Sequence, residues 1–160
     1  MALRGVYDVA HGGGAMHRGA SVISHIYYGF DLRNLFLRLD PSQNLQDDKA
    51  GELSFFVNFL VPKGLHAEIR VVPRERGVTA HLFLGENSDR KEIAAINNVA
   101  ANEIIELAIP FELLGVKPND EIHCFVTVER KGSEIEKWPY RGFIQVKVPT
   151  EDFDAMMWQV

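Results

Sequence analysis

The sequence predicts an antiparallel β-sandwich of immunoglobulin or jelly-roll type, and three observations carry that prediction. Leucines recur at every second position in Asn34-Leu35-Phe36-Leu37-Arg38-Leu39-Asp40, the period of a half-buried strand rather than of a helix. The same alternation returns in Leu53-Ser54-Phe55-Phe56-Val57-Asn58-Phe59, in Val78-Thr79-Ala80-His81-Leu82-Phe83-Leu84 and in Ile122-His123-Cys124-Phe125-Val126-Thr127-Val128. Short turn-forming segments separate these runs, so each strand folds back beside its predecessor.

Taken in order, Val6 to Val9 form a first short strand, followed by the glycine-rich connection His11-Gly12-Gly13-Gly14-Ala15-Met16-His17. Residues 22–30 and 34–40 lie only Asp31-Leu32-Arg33 apart, which predicts a hairpin of two antiparallel neighbours ended by Pro41. The polar segment Ser42 to Gly51 is a surface loop before the strand 53–61. Pro62-Lys63-Gly64 turns the chain into 66–72, and the run from Pro73 to Gly77 turns it back into 78–84, a meander. Strands near 92–98 and 103–109 come next. Pro110-Phe111-Glu112-Leu113-Leu114-Gly115 reads as one helical turn, with proline at its start and glycine beyond its end. A strand at 121–130, a hairpin through Lys131-Gly132-Ser133 to Trp138-Pro139, and a last strand at 143–148 complete the sheets. Thr150 would cap a short C-terminal helix with Glu151 and Asp152 in its first turn.

Composition fits a single domain over residues 1–160, without repeat or linker: 46% of residues are hydrophobic and 24% charged. A chain of this size buries roughly two-thirds of its unfolded surface without crosslinks. The one cysteine, Cys124, lies mid-strand and reads as a core thiol, which favours a reducing, cytoplasmic setting over a disulfide-built secreted scaffold. The net charge of −5, with Lys and Arg scattered, gives no footprint for a phosphate backbone, so nucleic acid is not an expected partner. No apolar run approaches the roughly 18 residues that cross a bilayer, and no membrane partner is expected.

Each catalytic template lacks a partner. His66-Ala67-Glu68 matches half of a zinc-deaminase signature, but the other half needs two cysteines. Gly12-Gly13-Gly14 lacks the Gly-Lys-Ser/Thr ending of a phosphate loop. His11, His17 and His25 match no metal-ligand spacing, and Met16 beside His17 cannot reach opposite faces of a haem. Glu103, Glu106, Glu134 and Glu136 fall on strand edges or turns, where carboxylates serve solubility. No cofactor is expected, although Asp47 and Asp48 could hold calcium in a loop. The aromatics carry more. Sugar faces pack their C–H groups on rings, so Trp138 and Tyr140, flanking Pro139 in a polar stretch, are candidate carbohydrate-binding residues. Tyr27 and Tyr28 join them, and strand alternation sends one inward and the other outward; the plain alternative for each ring is core or edge packing.

Several of these stretches resemble a known family. Gly14-Ala15-Met16-His17, Ile26-Tyr27-Tyr28-Gly29-Phe30-Asp31-Leu32, Leu35-Phe36-Leu37-Arg38-Leu39-Asp40 and the ending Asp152-Phe153-Asp154-Ala155-Met156-Met157-Trp158-Gln159-Val160 resemble the C-terminal region of bacterial glycoside hydrolase family 57 proteins, the α-amylase and amylopullulanase-like group. Ile105-Glu106-Leu107-Ala108-Ile109-Pro110, Leu113-Leu114-Gly115, Glu121-Ile122 and Glu136-Lys137-Trp138-Pro139 are similar to glucodextranase C-terminal, DOMON-like and family 9 carbohydrate-binding sandwiches. The resemblance implies a non-catalytic module excised from a larger hydrolase. The catalytic barrel of those hydrolases has no counterpart here, so no active-site residue is carried over.

The expected function is therefore an accessory module that binds or positions an α-glucan such as starch or glycogen. Its expected partners are the polysaccharide and the catalytic domain of its own parent chain. The alternatives are a structural domain that packs on that catalytic domain without binding glycan, marked by an exposed apolar patch, and a haem-binding DOMON-like module. On this reading Trp138→Ala weakens retention on starch and leaves stability within about 1 kcal/mol, as for a rim aromatic.

Overall fold

The computed structural model describes residues 2–9, 21–45, 53–72 and 77–152. Two antiparallel sheets enclose one apolar core. The first holds β1 (Ala2–Asp8), β2 (Ile23–Phe30), β3 (Asn34–Pro41), β9 (Ile105–Pro110) and β8 (Val99–Ala101), in that spatial order. The second runs β11 (Ser133–Trp138), β10 (Glu121–Arg130), β4 (Leu53–Val61), β5 (Leu65–Val72), β6 (Gly77–Leu84) and β7 (Lys91–Ala95), with β12 (Ile144–Lys147) also on β10. The sandwich expected from the alternation is the fold observed.

The inner phase of each strand supplies the core. Leu35, Leu37 and Leu39 of β3 and Ile105, Leu107 and Ile109 of β9 are buried in one cluster with Phe55 and Val57 of β4, Ile69 of β5, Leu82 of β6, and Val126 and Val128 of β10. Alternation makes this possible, because every second side chain of a strand points to the same side of its sheet. Cys124 sits on the same inner phase of β10, and burial pushes its thiol up to about 12, so it behaves as a small apolar side chain.

The β2–β3 hairpin pairs Tyr28 with Leu37 and Ile26 with Leu39, and β4 to β6 form the expected meander, which β7 continues. Asp31 closes the hairpin turn by accepting the backbone N–H groups of Arg33 and Asn34, each at 2.7 Å. The helical turn is Phe111–Leu114, with Pro110 as N-cap and Gly115 as C-cap. Gly5 pairs with Tyr28 across β1 and β2, and the Tyr28 ring occupies the space a Cβ at position 5 would need. Glycine there lets the ring lie flat across the neighbouring strand.

The first strand runs Ala2–Asp8 rather than the expected Val6 to Val9, and two later boundaries also differ from expectation. The segment expected as one strand at 92–98 ends at Ala95 because the chain there leaves the second sheet for the first, burying Ile96 at the crossing while the Ile96 N–H still bonds the Ala80 carbonyl at 2.8 Å. It resumes as β8, a three-residue edge strand of small side chains whose propensity gave no signal; the turn that follows moves the start of β9 to Ile105. The glycine-rich connection with His11, Met16 and His17, the Asp47 and Asp48 loop, and residues 153–160 with Trp158 lie outside the described residues; of the expected C-terminal helix the described part is not helical, Glu151 and Asp152 forming a turn. No helix among the described residues is long and apolar enough to cross a membrane.

Candidate functional site

The four aromatics singled out from the sequence are not brought together. Trp138 is 3% exposed, which corrects its expected place on the rim. The reason is register: Lys137 faces outward opposite Thr127, so Trp138 turns inward opposite the core residue Val126, with Tyr7 6.4 Å away. Its indole N–H donates to Glu136 Oε2 at 3.0 Å. The same carboxylate accepts the backbone N–H of Val22 and, at 3.3 Å, that of Ile23, so an edge strand of the second sheet is bolted to the start of β2 in the first. Glu136 is thus structural rather than a solubilising edge charge. Tyr140 lies beyond β11 and is 44% exposed. Tyr28 packs against the core, whereas Tyr27 faces outward on the first sheet, the opposite placements that alternation requires.

A different surface has the geometry of a binding site. On the outward face of the second sheet, Phe125, Asn58, His66, Phe83 and Glu92 follow one another as cross-strand partners through β10, β4, β5, β6 and β7. A parallel row runs Lys137, Thr127, Phe56, Glu68 and His81 from β11 to β6. Solvent-facing positions of a sheet are ordinarily polar, yet here three of four central strands place phenylalanine on that phase.

A cleft of about 530 Å³ opens over these rows. Its floor is Phe56 and Phe125 with Asn58 and Thr127 between them, the Asn58 amide donating to Thr127 Oγ1 at 2.9 Å. One wall is His66 with Arg90, Glu86 and Asn87; the other is Glu129 and Glu134, directly opposite each other at a bulge between β10 and β11. Gly85 turns the chain out of β6 with φ of 93°, where a Cβ would meet the Asp89 carbonyl at 3.1 Å, and so sets Glu86, Asn87 and Arg90 on the cleft edge.

Electrostatics divide the cleft. Glu68 is only 5% exposed although it lies on the outward face, and it is neutralised from both sides: Arg70 Nε donates to Oε1 at 2.6 Å and Arg90 Nη1 to Oε2 at 2.9 Å. The Arg90 guanidinium also lies 4.2 Å over the Phe83 ring, on which His66 stacks at 5.5 Å. Burial, then the nearby Arg90 charge, holds the His66 imidazole below its ordinary range, so it is a neutral hydrogen-bonding ring at physiological pH. At the opposite wall burial raises Glu129, with Glu68 and Glu134 adding to the effect.

The arrangement offers flat apolar rings beside amide, hydroxyl, imidazole and guanidinium groups, the set that binds a polar ring compound with apolar faces. His66 and Glu68 share one face, as the His66-Ala67-Glu68 motif allows, but the Glu68 carboxylate is engaged by two arginines. Among the described residues no group of three or more His, Cys, Asp and Glu is placed to hold a metal ion. Sequence reasoning missed Phe56, Asn58, Arg90 and Phe125, and met His66 only as half of a motif without its partner; the available signal was an aromatic on the polar phase of several neighbouring strands. The chain matches none of the protein-family models, curated proteins or solved structures with which it was compared.

Proposed function

We propose that this chain is a non-catalytic glycan-binding module, the accessory sandwich of an α-glucan-acting glycoside hydrolase, and that polysaccharide lies in the cleft on the second sheet. The observation that carries the proposal is the floor, where Phe56 and Phe125 flank the Asn58–Thr127 pair. A pyranose can lay its C–H face on a ring while its hydroxyls meet the amide, the His66 imidazole and Arg90. The family 57 resemblance supplies the expectation that the polymer is an α-glucan. Affinity would lie at about the millimolar to micromolar level, since water competes for every hydroxyl contact.

Native affinity electrophoresis through a gel containing glycogen tests this. The wild-type protein should be retarded, Phe125→Ala should lose about fivefold in retention, corresponding to roughly 1 kcal/mol of ring stacking, and Tyr27→Ala should migrate as wild type. Absence of retardation, or equal retardation of Phe125→Ala and wild type, would refute the assignment.

One observation favours packing on a catalytic domain as a second role. Leu60, Val61, Leu84 and Phe143 are exposed near one end of the second sheet; Phe143 stacks at 4.3 Å on His123, the cross-strand partner of Val61. Such a patch suits docking within a larger chain. Replacing Leu60 and Phe143 by Ser would then leave glycogen retention intact.

A further inference from the structure

We infer that Arg90 is the residue that orients the sugar, by donating from the free edge of its guanidinium to two neighbouring hydroxyls of one ring, and that buried Glu68 is its positioning residue. This rests on the glycan reading above and deepens it.

Arg90 is fixed on two sides. One nitrogen, Nη1, is held by Glu68 Oε2 at 2.9 Å, and the guanidinium plane is held 4.2 Å over Phe83. Glu68 is itself held by Arg70 at 2.6 Å on its other oxygen, so the anchor does not swing. The remaining guanidinium N–H groups have no hydrogen-bond partner among the described residues, and Arg90 lines the cleft with a side chain 34% exposed. A guanidinium presents its donors as a rigid planar fork, and holding it in place beforehand reduces the ordering cost of binding.

A fork of this kind matches either a planar anion or a pair of adjacent hydroxyls. The rest of the cleft decides between them. Glu86, Glu129 and Glu134 line the same space; with Glu68 they are four carboxylates against the three cations Arg70, Arg90 and Lys137, whose ammonium lies 4.8 Å over the Phe125 ring. A carboxylate- or phosphate-bearing ligand would meet more negative than positive charge, so the matching ligand is an uncharged sugar with a free vicinal pair of secondary hydroxyls. Rejection of acidic sugars follows from the same carboxylates.

Retention on glycogen is measured for Arg90→Lys, Glu68→Gln and the double variant, with competition by cyclic maltoheptaose and by its derivative methylated on every secondary hydroxyl. Arg90→Lys keeps the charge and loses the fork, and should weaken retention roughly tenfold. Glu68→Gln should weaken it by a similar factor, and the double variant should be no weaker than Arg90→Lys alone, because Glu68 acts through Arg90. The wild type should be displaced by the unmethylated ring and not by the methylated one, and Arg90→Lys should lose that discrimination. Full retention by Arg90→Lys, additive losses in the double variant, or equal displacement by the two rings would overturn the inference. Should Glu68→Gln fail to fold, the competition experiment decides alone. Failure of the wild type to bind glycogen or either ring would overturn the glycan reading as well, whereas binding that is indifferent to Arg90 overturns only this assignment.

Discussion

The outward faces of the two sheets obey the same alternation and carry similar residue types, yet the cleft over rings and charges lies on the second. On the first sheet the outward groups Asp8, His25, Tyr27, Arg38 and Asp40 are matched with one another. His25 lies 3.7 Å from Asp8 and stacks on Tyr27, Arg38 lies 4.9 Å over the same ring, and Arg38 Nε meets Asp40 at 2.6 Å. Such exposed pairs contribute little individually and give a smooth, self-satisfied surface. On the second sheet the rings lie beside a buried carboxylate, a fork with free donors and two carboxylates facing each other, overhung by the turn that follows Gly85. A solvated sheet face becomes a site where its polar groups are left something to bind.

The comparison can be broken or sharpened by mutation. The largest effect is expected at Trp138, which belongs to neither face: Trp138→Ala removes a buried indole and should cost about 3–5 kcal/mol in denaturant unfolding. A loss near 1 kcal/mol would restore the rim placement read from the sequence. Glu136→Ala leaves the Val22 and Ile23 N–H groups and the indole N–H without their acceptor and should cost about 1–3 kcal/mol in the same assay; an unchanged stability would contradict the bolting role.

A smaller effect is expected where the two faces differ in charge. Glu129 stands directly opposite Glu134, and its folded-state pKa is raised by burial and by its acidic neighbours. A raised carboxylate contributes stability below the ordinary carboxylate range and loses it as pH rises through the folded-state value. Glu129→Gln should therefore stabilise the protein at neutral pH by about 0.2–1 kcal/mol, with the gain fading on acidification. A constant or growing gain at low pH would contradict this sign. The matched change on the first sheet, Asp40→Asn, removes a favourable pair and should destabilise by less than about 1 kcal/mol.

What the sequence disclosed follows from where the physics is local. The leucine run at 35, 37 and 39, the phase of Ile122-His123-Cys124-Phe125, and the proline and glycine around Phe111–Leu114 state their structure within a few residues. The change of sheet after Ala95 depends on Ile96 finding the core, which no local pattern states. Trp138 was legible in principle, since Lys137 and Thr127 fix its phase, but only once the β10–β11 register is known. The cleft was least legible. It joins Phe56, His66, Arg90 and Phe125 from separate strands and an adjoining turn, and each residue alone reads as an ordinary strand or turn position. Attention to tryptophan and tyrosine passed over phenylalanine on the polar phase.

The central claim is that polysaccharide meets this protein on the outward face of the second sheet. Its most direct test is a side-chain and backbone NMR titration of the intact chain with maltoheptaose. The account predicts saturable shifts at Phe56, Asn58, His66, Arg90, Phe125 and Thr127, with Tyr27 and Tyr140 unmoved. Shifts centred on Tyr27 or Tyr140 with a silent cleft, or no shifts at any residue, would contradict it.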